Sequence, residues 1–216
     1  MIVYFRVMRT KDPLKASQIR SQALELLARE GFDGFSMQKL ARASHVSPAT
    51  LYIHFKDRED LLFQLYKEQM EVFSEVVLDG FDPEDPLAKG LEIQWRNRIR
   101  FSREHPISWR FLDLVMHSPC HMDFSSRIQP LSFEAQDRFV KNAVKHGGMC
   151  DFSKHDPSGK FPFEIFWSLA YAPLYELLRF ESRSIQHADA YPTKRFVFGP
   201  ERFDLALRQV LRSLQP

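Results

Sequence analysis

Within ten residues the chain places Ala49, Thr50, Tyr52, Ile53, His54, Lys56 and Arg58, a set of methyl, hydroxyl, phenol, imidazole and cationic groups. Such side chains make contacts rather than covalent bonds. Lysine, arginine and hydroxyl groups bind phosphate oxygens, hydroxyls exchange hydrogen bonds with base edges, and small apolar groups pack on thymine methyls. The chemistry on offer is recognition of a nucleic-acid duplex. Catalysis finds no comparable set: the chain has no nucleophile paired with a base, no P-loop and no H-E-x-x-H, so an enzyme is not expected.

These residues can act together only if a short helix presents them on one face. Ser47-Pro48 starts such a helix, with a capping hydroxyl followed by proline at the first helical position, where the missing N–H costs nothing. At about 100° per residue, Leu51 and Phe55 point to one side, and Ala49, Thr50 and Ile53 point away from the core toward base edges. Tyr52 and His54 flank that face and can meet phosphates, while Lys56 and Arg58 add charge where the backbone would pass. A preceding short helix, expected over 36–43, is capped by Ser36 and stapled by Phe35 on Leu40; Val46 and Leu51 repeat the staple across the Ser44-His45-Val46 break. Two short capped helices joined by a three-residue turn make a helix-turn-helix, whose second helix lies in the major groove. The candidate DNA contacts are therefore Ser36, Ser47, Ala49, Thr50, Tyr52, Ile53, His54, Lys56 and Arg58.

The same stretch resembles the signature of the TetR family of transcriptional regulators: Thr/Ser, then Ile/Leu-Ala, Gly-Val-Ser, Thr-Leu-Tyr-x-His-Phe and an acidic capped helix. Here these are Ser36, Leu40-Ala41, His45-Val46-Ser47, Thr50-Leu51-Tyr52-Ile53-His54-Phe55 and Asp57 to Leu61. With Ala23 through Gly31-Phe32 of the first helix, the likeness covers about 45 residues, and Tyr-x-His-Phe is its specific part. It departs at the turn, where the family's glycine is His45. A non-glycine residue held at positive φ there would cost on the order of 1 kcal/mol. The resemblance implies backbone contacts from Tyr52, Lys56 and Arg58, a C-terminal ligand pocket and a dimer interface.

The rest of the chain reads as helix. Ile19, Ala23, Leu26 and Leu27 recur at helical spacing between Pro13 and Gly31, and Asp57 caps a long helix running to about Leu78. Breakers fill 79–86, and helices are expected over 87–104, 107–117, 125–146 (with Pro130 as a kink or true start), 163–180 and 200–214. Turn-rich loops are expected at 149–161 and 184–199, and the opening MIVYFRVM, interrupted by Arg6, as an arm rather than a signal or membrane segment. The expectation is an all-α chain of about nine helices: a helix-turn-helix DNA-binding domain over 1–62 and a ligand-binding and dimerisation domain over 63–216.

Composition agrees with a folded, cytoplasmic protein. The chain is 44% hydrophobic with 20 Phe, and its net charge is only +2. Residues 1–62 hold ten Lys/Arg against seven Asp/Glu, or +3, leaving −1 for the remainder. Cys120 and Cys150 form no CxxC, and no disulfide is expected. Asp113, His117, Cys120 and His121 have some ligand types at suggestive spacing, but Pro119 breaks the geometry, so neither metal nor cofactor is expected.

Two further sets follow for the C-terminal helices. Trp95, Phe111, Met116, Phe133, Phe139, Phe166 and Tyr171 are candidates to line a pocket for an apolar or aromatic molecule, although for each one core packing is the plainer role. The stretch 163–180, FEIFWSLAYAPLYELLRF, is apolar almost all round, which points to a four-helix homodimer interface with 200–214 through Phe163, Phe166, Trp167, Leu174, Leu178, Phe203, Leu207 and Leu211. The functional expectation is a dimeric, ligand-responsive regulator of palindromic operator DNA, most readily a repressor, with no membrane partner. Two alternatives stay open at this point: the same fold controlled by a protein partner, and a DNA-processing enzyme carrying a helix-turn-helix.

Overall fold

The computed structural model describes residues 12–151, 163–186 and 199–216, and the side chains of 163, 164 and 183–186 fall outside that description. The expected N-terminal arm, most of the 149–161 loop and most of the 184–199 segment lie outside the described residues too. Among the described residues there are eleven helices and no strand: α1 Pro13–Gly34, α2 Met37–Ala43, α3 Pro48–His54, α4 Arg58–Val77, α5 Leu87–Glu104, α6 Pro106–Met116, α7 His121–Ser126, α8 Leu131–Lys145, α9 Phe163–Ala170, α10 Ala172–Gln186 and α11 Pro200–Leu214. The chain is all-α, as expected, and the count exceeds nine because two expected helices are each divided. Pro130 is the cap of α8 rather than a kink within it, so α7 stands alone before it. The apolar run from Phe163 breaks at Tyr171, because Pro173 has no N–H and its ring crowds the carbonyl four residues back; α10 then continues past Phe180.

Helix starts follow from short polar side chains that satisfy the otherwise unpaired first N–H groups. Asp12 accepts from Leu14 N at 3.0 Å, Ser36 from Lys39 N at 3.2 Å, Ser47 from Thr50 N at 3.2 Å and Asp57 from Asp60 N at 2.8 Å. One type of ending is used twice. In α8, Gly147 at φ 70 lets its own N–H reach Val144 O (3.0 Å) and that of Gly148 reach Ala143 O (2.9 Å). In α2 the same pair of bonds runs from His45 N to Arg42 O (3.2 Å) and from Val46 N to Ala41 O (3.0 Å), with His45 at φ 52.

The chain packs as two compact units. The first comprises residues up to Val72 with His105–Ile128, so it takes α1–α3, most of α4, α6 and α7. Packing thus groups α6 and α7 with the N-terminal helices, a division different from a cut at residue 62. Its core holds Ile19, Leu27, Leu40, Leu51, Phe55 and Phe111, all essentially inaccessible. α6 lies along α1, Arg20 pairs with Glu68 at 3.0 Å, and Phe124 of α7 meets the Phe63 ring edge-on at 5.5 Å.

The second unit comprises Phe73–Glu104 and Gln129–Pro216. Here α5 caps the end of α4: Gln94 Nε2 and Asn97 Nδ2 donate to Val77 O at 2.8 and 3.1 Å, and Arg100 donates to Val76 O at 3.2 Å. The bare backbone of Gly90 lets Phe139 of α8 close on α5, since a Cβ there would sit 2.6 Å from its Cζ. Trp95 donates to Ala170 O at 2.8 Å and meets the Phe203 ring edge-on at 5.9 Å, tying α5 to α9 and α11.

The structure places the residues of the two C-terminal sets in different surroundings. Phe166, Leu174, Leu178, Phe203 and Leu207, expected to face a second copy, are buried inside their own chain; Trp167 and Leu211 are half-buried, and the Phe163 side chain lies outside the described residues. The apolar character of α9 and α10 comes from being covered by α5, α8 and α11 of the same chain. The large apolar side chains these helices leave exposed are instead Ile165, Phe180 and Leu205. Of the pocket candidates, Trp95, Phe139, Phe166 and Tyr171 are buried in the second unit and Phe133 is half-buried there, whereas Phe111 and Met116 belong to the first unit. Phe166 meets Phe139 at 6.5 Å and Tyr171 at 5.5 Å, both edge-on. No helix among the described residues is long and apolar enough to cross a membrane.

Candidate nucleic-acid interface

α3 is a seven-residue helix whose inner side is fixed by Leu51, fully buried, and whose exit is fixed by Phe55, 1% exposed, at φ −125. The opposite side is open: Ala49 is exposed, Tyr52 is 53% exposed, and Thr50 and Ile53 are half-buried. Ser36, Ser47, Lys56 and Arg58 are exposed around it. The candidate contact residues are therefore all at least partly exposed to solvent in the first unit, with one exception.

That exception is His54. Its ring is only 8% exposed, lies 6.2 Å from that of Phe55, and leaves Nδ1 buried without a hydrogen-bond partner. As the last residue of α3 it curls inward where the chain passes into the extended conformation of Phe55, so it does not offer its imidazole to phosphate.

Local bonds grade the remaining groups. Thr50 Oγ1 lies 2.9 Å from Ser47 Oγ, so its hydroxyl shares its one donor and two lone pairs between the helix cap and any outside partner. Arg58 donates to Phe32 O at 2.9 Å and stands 5.8 Å from the Phe35 ring centroid, which anchors that cation on the end of α1. Lys56 uses only its backbone N–H, on Asp60 Oδ2 at 2.8 Å. Its ammonium group has no partner among the described residues. Arg42, on the last turn of α2, is likewise exposed and unpaired among them; its charge was visible in the sequence, but nothing in its spacing distinguished it. Lys39 is committed to fixing α2 on α1, donating to Glu30 Oε2 at 2.9 Å and Gly34 O at 2.7 Å. Those bonds, first from Lys39 and then from Arg29, hold the Glu30 carboxyl below its ordinary pKa.

The first unit also carries the suggested metal-ligand types. His117 Nδ1 lies 2.7 Å from Asp113 O, and Cys120 Sγ lies 2.8 Å from Ser118 Oγ. Burial, and then the nearby His117, lowers the His121 pKa. Among the described residues no group of three or more His, Cys, Asp or Glu side chains is arranged to hold a metal ion.

A short capped helix, a left-handed turn and a second short helix with an open outer face form a helix-turn-helix, and its relatives agree. Residues 19–65 match the family of bacterial regulatory proteins, tetR family. An uncharacterized HTH-type transcriptional regulator of Haemophilus influenzae is 30% identical over 139 residues, which is 64% of this chain and 73% of that protein. A TetR family transcription regulator from Marinobacter aquaeolei is similar in structure, with a TM-score of 0.63 and 25% identity, covering 96% of this chain and 98% of that one. A TetR-type structure from Shewanella reaches a TM-score of 0.71 at 17% identity, over 93% and 97% of the two chains, and so shares the fold. This chain belongs to the TetR family of transcriptional regulators, with the helix-turn-helix of α2 and α3 in its DNA-binding domain.

Proposed function

We propose that this protein is a ligand-responsive repressor that binds a palindromic operator as a homodimer in the cytoplasm. The observation that carries the reading is the open face of α3, with Ala49 and Tyr52 exposed opposite a buried Leu51. In this reading residues 1–62 meet the DNA, and 63–216 bind the effector and the second copy. Ala49 and Ile53 pack on thymine methyls and Thr50 makes a polar contact, while Tyr52, Lys56, Arg58, Ser36 and Ser47 hold phosphates. His54 is left out, because it is buried.

Three features support the wider reading. Exposed Ile165, Phe180 and Leu205 give α9, α10 and α11 apolar surface to cover with a second copy. α4 contributes to both compact units, and α6, packed on α1, follows α5 directly in the chain, so an effector held by the second unit is linked to the first by the unbroken α4 and by the α5–α6 junction. The two free cysteines suit a reducing compartment. An effector that binds the DNA-free form more tightly shifts the population toward it and releases the operator.

Selection of bound duplexes from a random pool, with sedimentation of the selected complex, tests this. The expected result is an inverted repeat held by a dimer, its half-sites about one helical turn or a multiple apart. A single unrepeated half-site bound by one copy would contradict it.

A further inference from the structure

The second unit buries a cation that has no counter-charge among the described residues. Arg98 of α5 is fully inaccessible, and it forms no ion pair with any described residue. Its Nη1 donates to Gln94 Oε1 and, at 3.2 Å, to Gln94 O, while Nε and Nη2 are buried with no hydrogen-bond partner. The two idle nitrogens are adjacent along one edge of the guanidinium, and their N–H bonds run parallel. That edge is the fork that takes both oxygens of a carboxylate.

Stacking holds the group in place without using that edge. The Arg98 guanidinium carbon stands 3.9 Å from the Tyr171 ring centroid, 5.6 Å from that of Phe73 and 5.8 Å from that of Trp167. These rings engage the face of the cation and leave its hydrogen-bonding edge unspent.

Two further buried groups in the same unit are unspent. Tyr171 Oη has no hydrogen-bond partner among the described residues, and burial raises the pKa of its phenol, which keeps it an O–H donor. Gln136 of α8 is fully buried, with both Oε1 and Nε2 unpartnered among the described residues. α5 and α8 run antiparallel, with Phe139 against Gly90 and Asn142 bonded to Pro83 O at 3.3 Å; Gln136, nearly one turn before Phe139, therefore falls about one turn along α5 from Gly90, toward Gln94 and Arg98. Buried polar groups in folded proteins are overwhelmingly satisfied, and a buried charge left unpaired is among the costliest defects a core can hold. An idle arginine fork stacked on an idle phenol is accounted for when an anionic group enters beside them.

We propose that the effector of this regulator is an apolar molecule carrying a carboxylate, which the Arg98 fork binds through both oxygens with Tyr171 donating a further hydrogen bond. The inference rests on the ligand-responsive reading above and narrows it, from an apolar or aromatic molecule to an amphiphilic acid. Phe166 and Trp167, beside Tyr171, supply apolar surface for its body.

The test uses the full chain and matched probes: dodecanoate against dodecanamide, and 2-naphthoate against 2-naphthamide, titrated by calorimetry and followed by tryptophan fluorescence. At least one acid is expected to bind ten- to a hundredfold more tightly than its amide, the range of one or two charge-assisted hydrogen bonds. Arg98→Met, which keeps the stem volume, should erase that preference; Arg98→Lys, which keeps charge but not the fork, should lose about tenfold. Tyr171→Phe retains the stacked ring and should weaken the acid several-fold while leaving the amide unchanged. Equal binding of acid and amide to the wild-type chain, no binding of any probe, or an acid preference that survives Arg98→Met would each overturn the proposal. Operator release is read separately in a DNA-binding assay. Release by a neutral probe with no acid preference keeps the ligand-gated reading and sinks the carboxylate site. Tight acid binding with unchanged DNA affinity does the reverse.

Discussion

His45 and Gly147 close two helices with the same pair of backbone bonds, and only one of them has the residue that such a turn favours. A Cβ in the left-handed region is strained, so His45→Gly should stabilise the protein by about 1 kcal/mol, read as a rise of roughly 2–4 °C in melting temperature. A lower melting temperature would mean that the exposed imidazole contributes more than the strain costs. Gly90 is the opposite case: a methyl there meets a Phe139 ring that is itself fully buried and cannot retreat. Gly90→Ala should therefore cost about 1–3 kcal/mol in a denaturant titration, the ordinary penalty of overpacking. The strain at His45 was legible in the sequence as a departure from a family pattern. The burial of His54 was not, because angular bookkeeping assumes that a helix continues, and α3 stops there and turns its last side chain inward.

At the scale of elements, the starts of the helix-turn-helix were legible because a capping hydroxyl beside a hydrophobic staple, or before a proline, has a local mechanism, independent of the rest of the fold. Ser36→Ala and Ser47→Ala should each lower stability by about 1 kcal/mol through the lost cap bonds to Lys39 N and Thr50 N. The check is a double mutant, whose loss should equal the sum of the singles if the two caps act independently. The facing of α9 and α10 was not legible. A run that is apolar on every side has no polar stripe to mark its outside, so Phe166, Leu174 and Leu178 were expected at an interface and lie in the protein's own core. Pro173 carried the missing signal, since a proline that far into a run divides it and lets the two halves bury different faces.

The first unit carries the candidate DNA-contact face of α3, and the second holds a buried cation with no ion-pair partner among the described residues. Net charge announced neither, because +2 over the full chain averages a basic N-terminal stretch against a slightly acidic remainder. The core aromatics were visible from composition, but Arg98 was lost among 30 Lys and Arg, and only burial separates it from the others. At this scale operator recognition depends on α3 reading base edges. Selection of bound DNA, repeated with Thr50→Ala and Ile53→Ala beside the wild-type chain, measures that directly. If α3 reads base edges, the preferred bases change at symmetry-related positions in both half-sites while weak non-specific binding stays the same; an unchanged preferred sequence in both variants means that α3 does not read them.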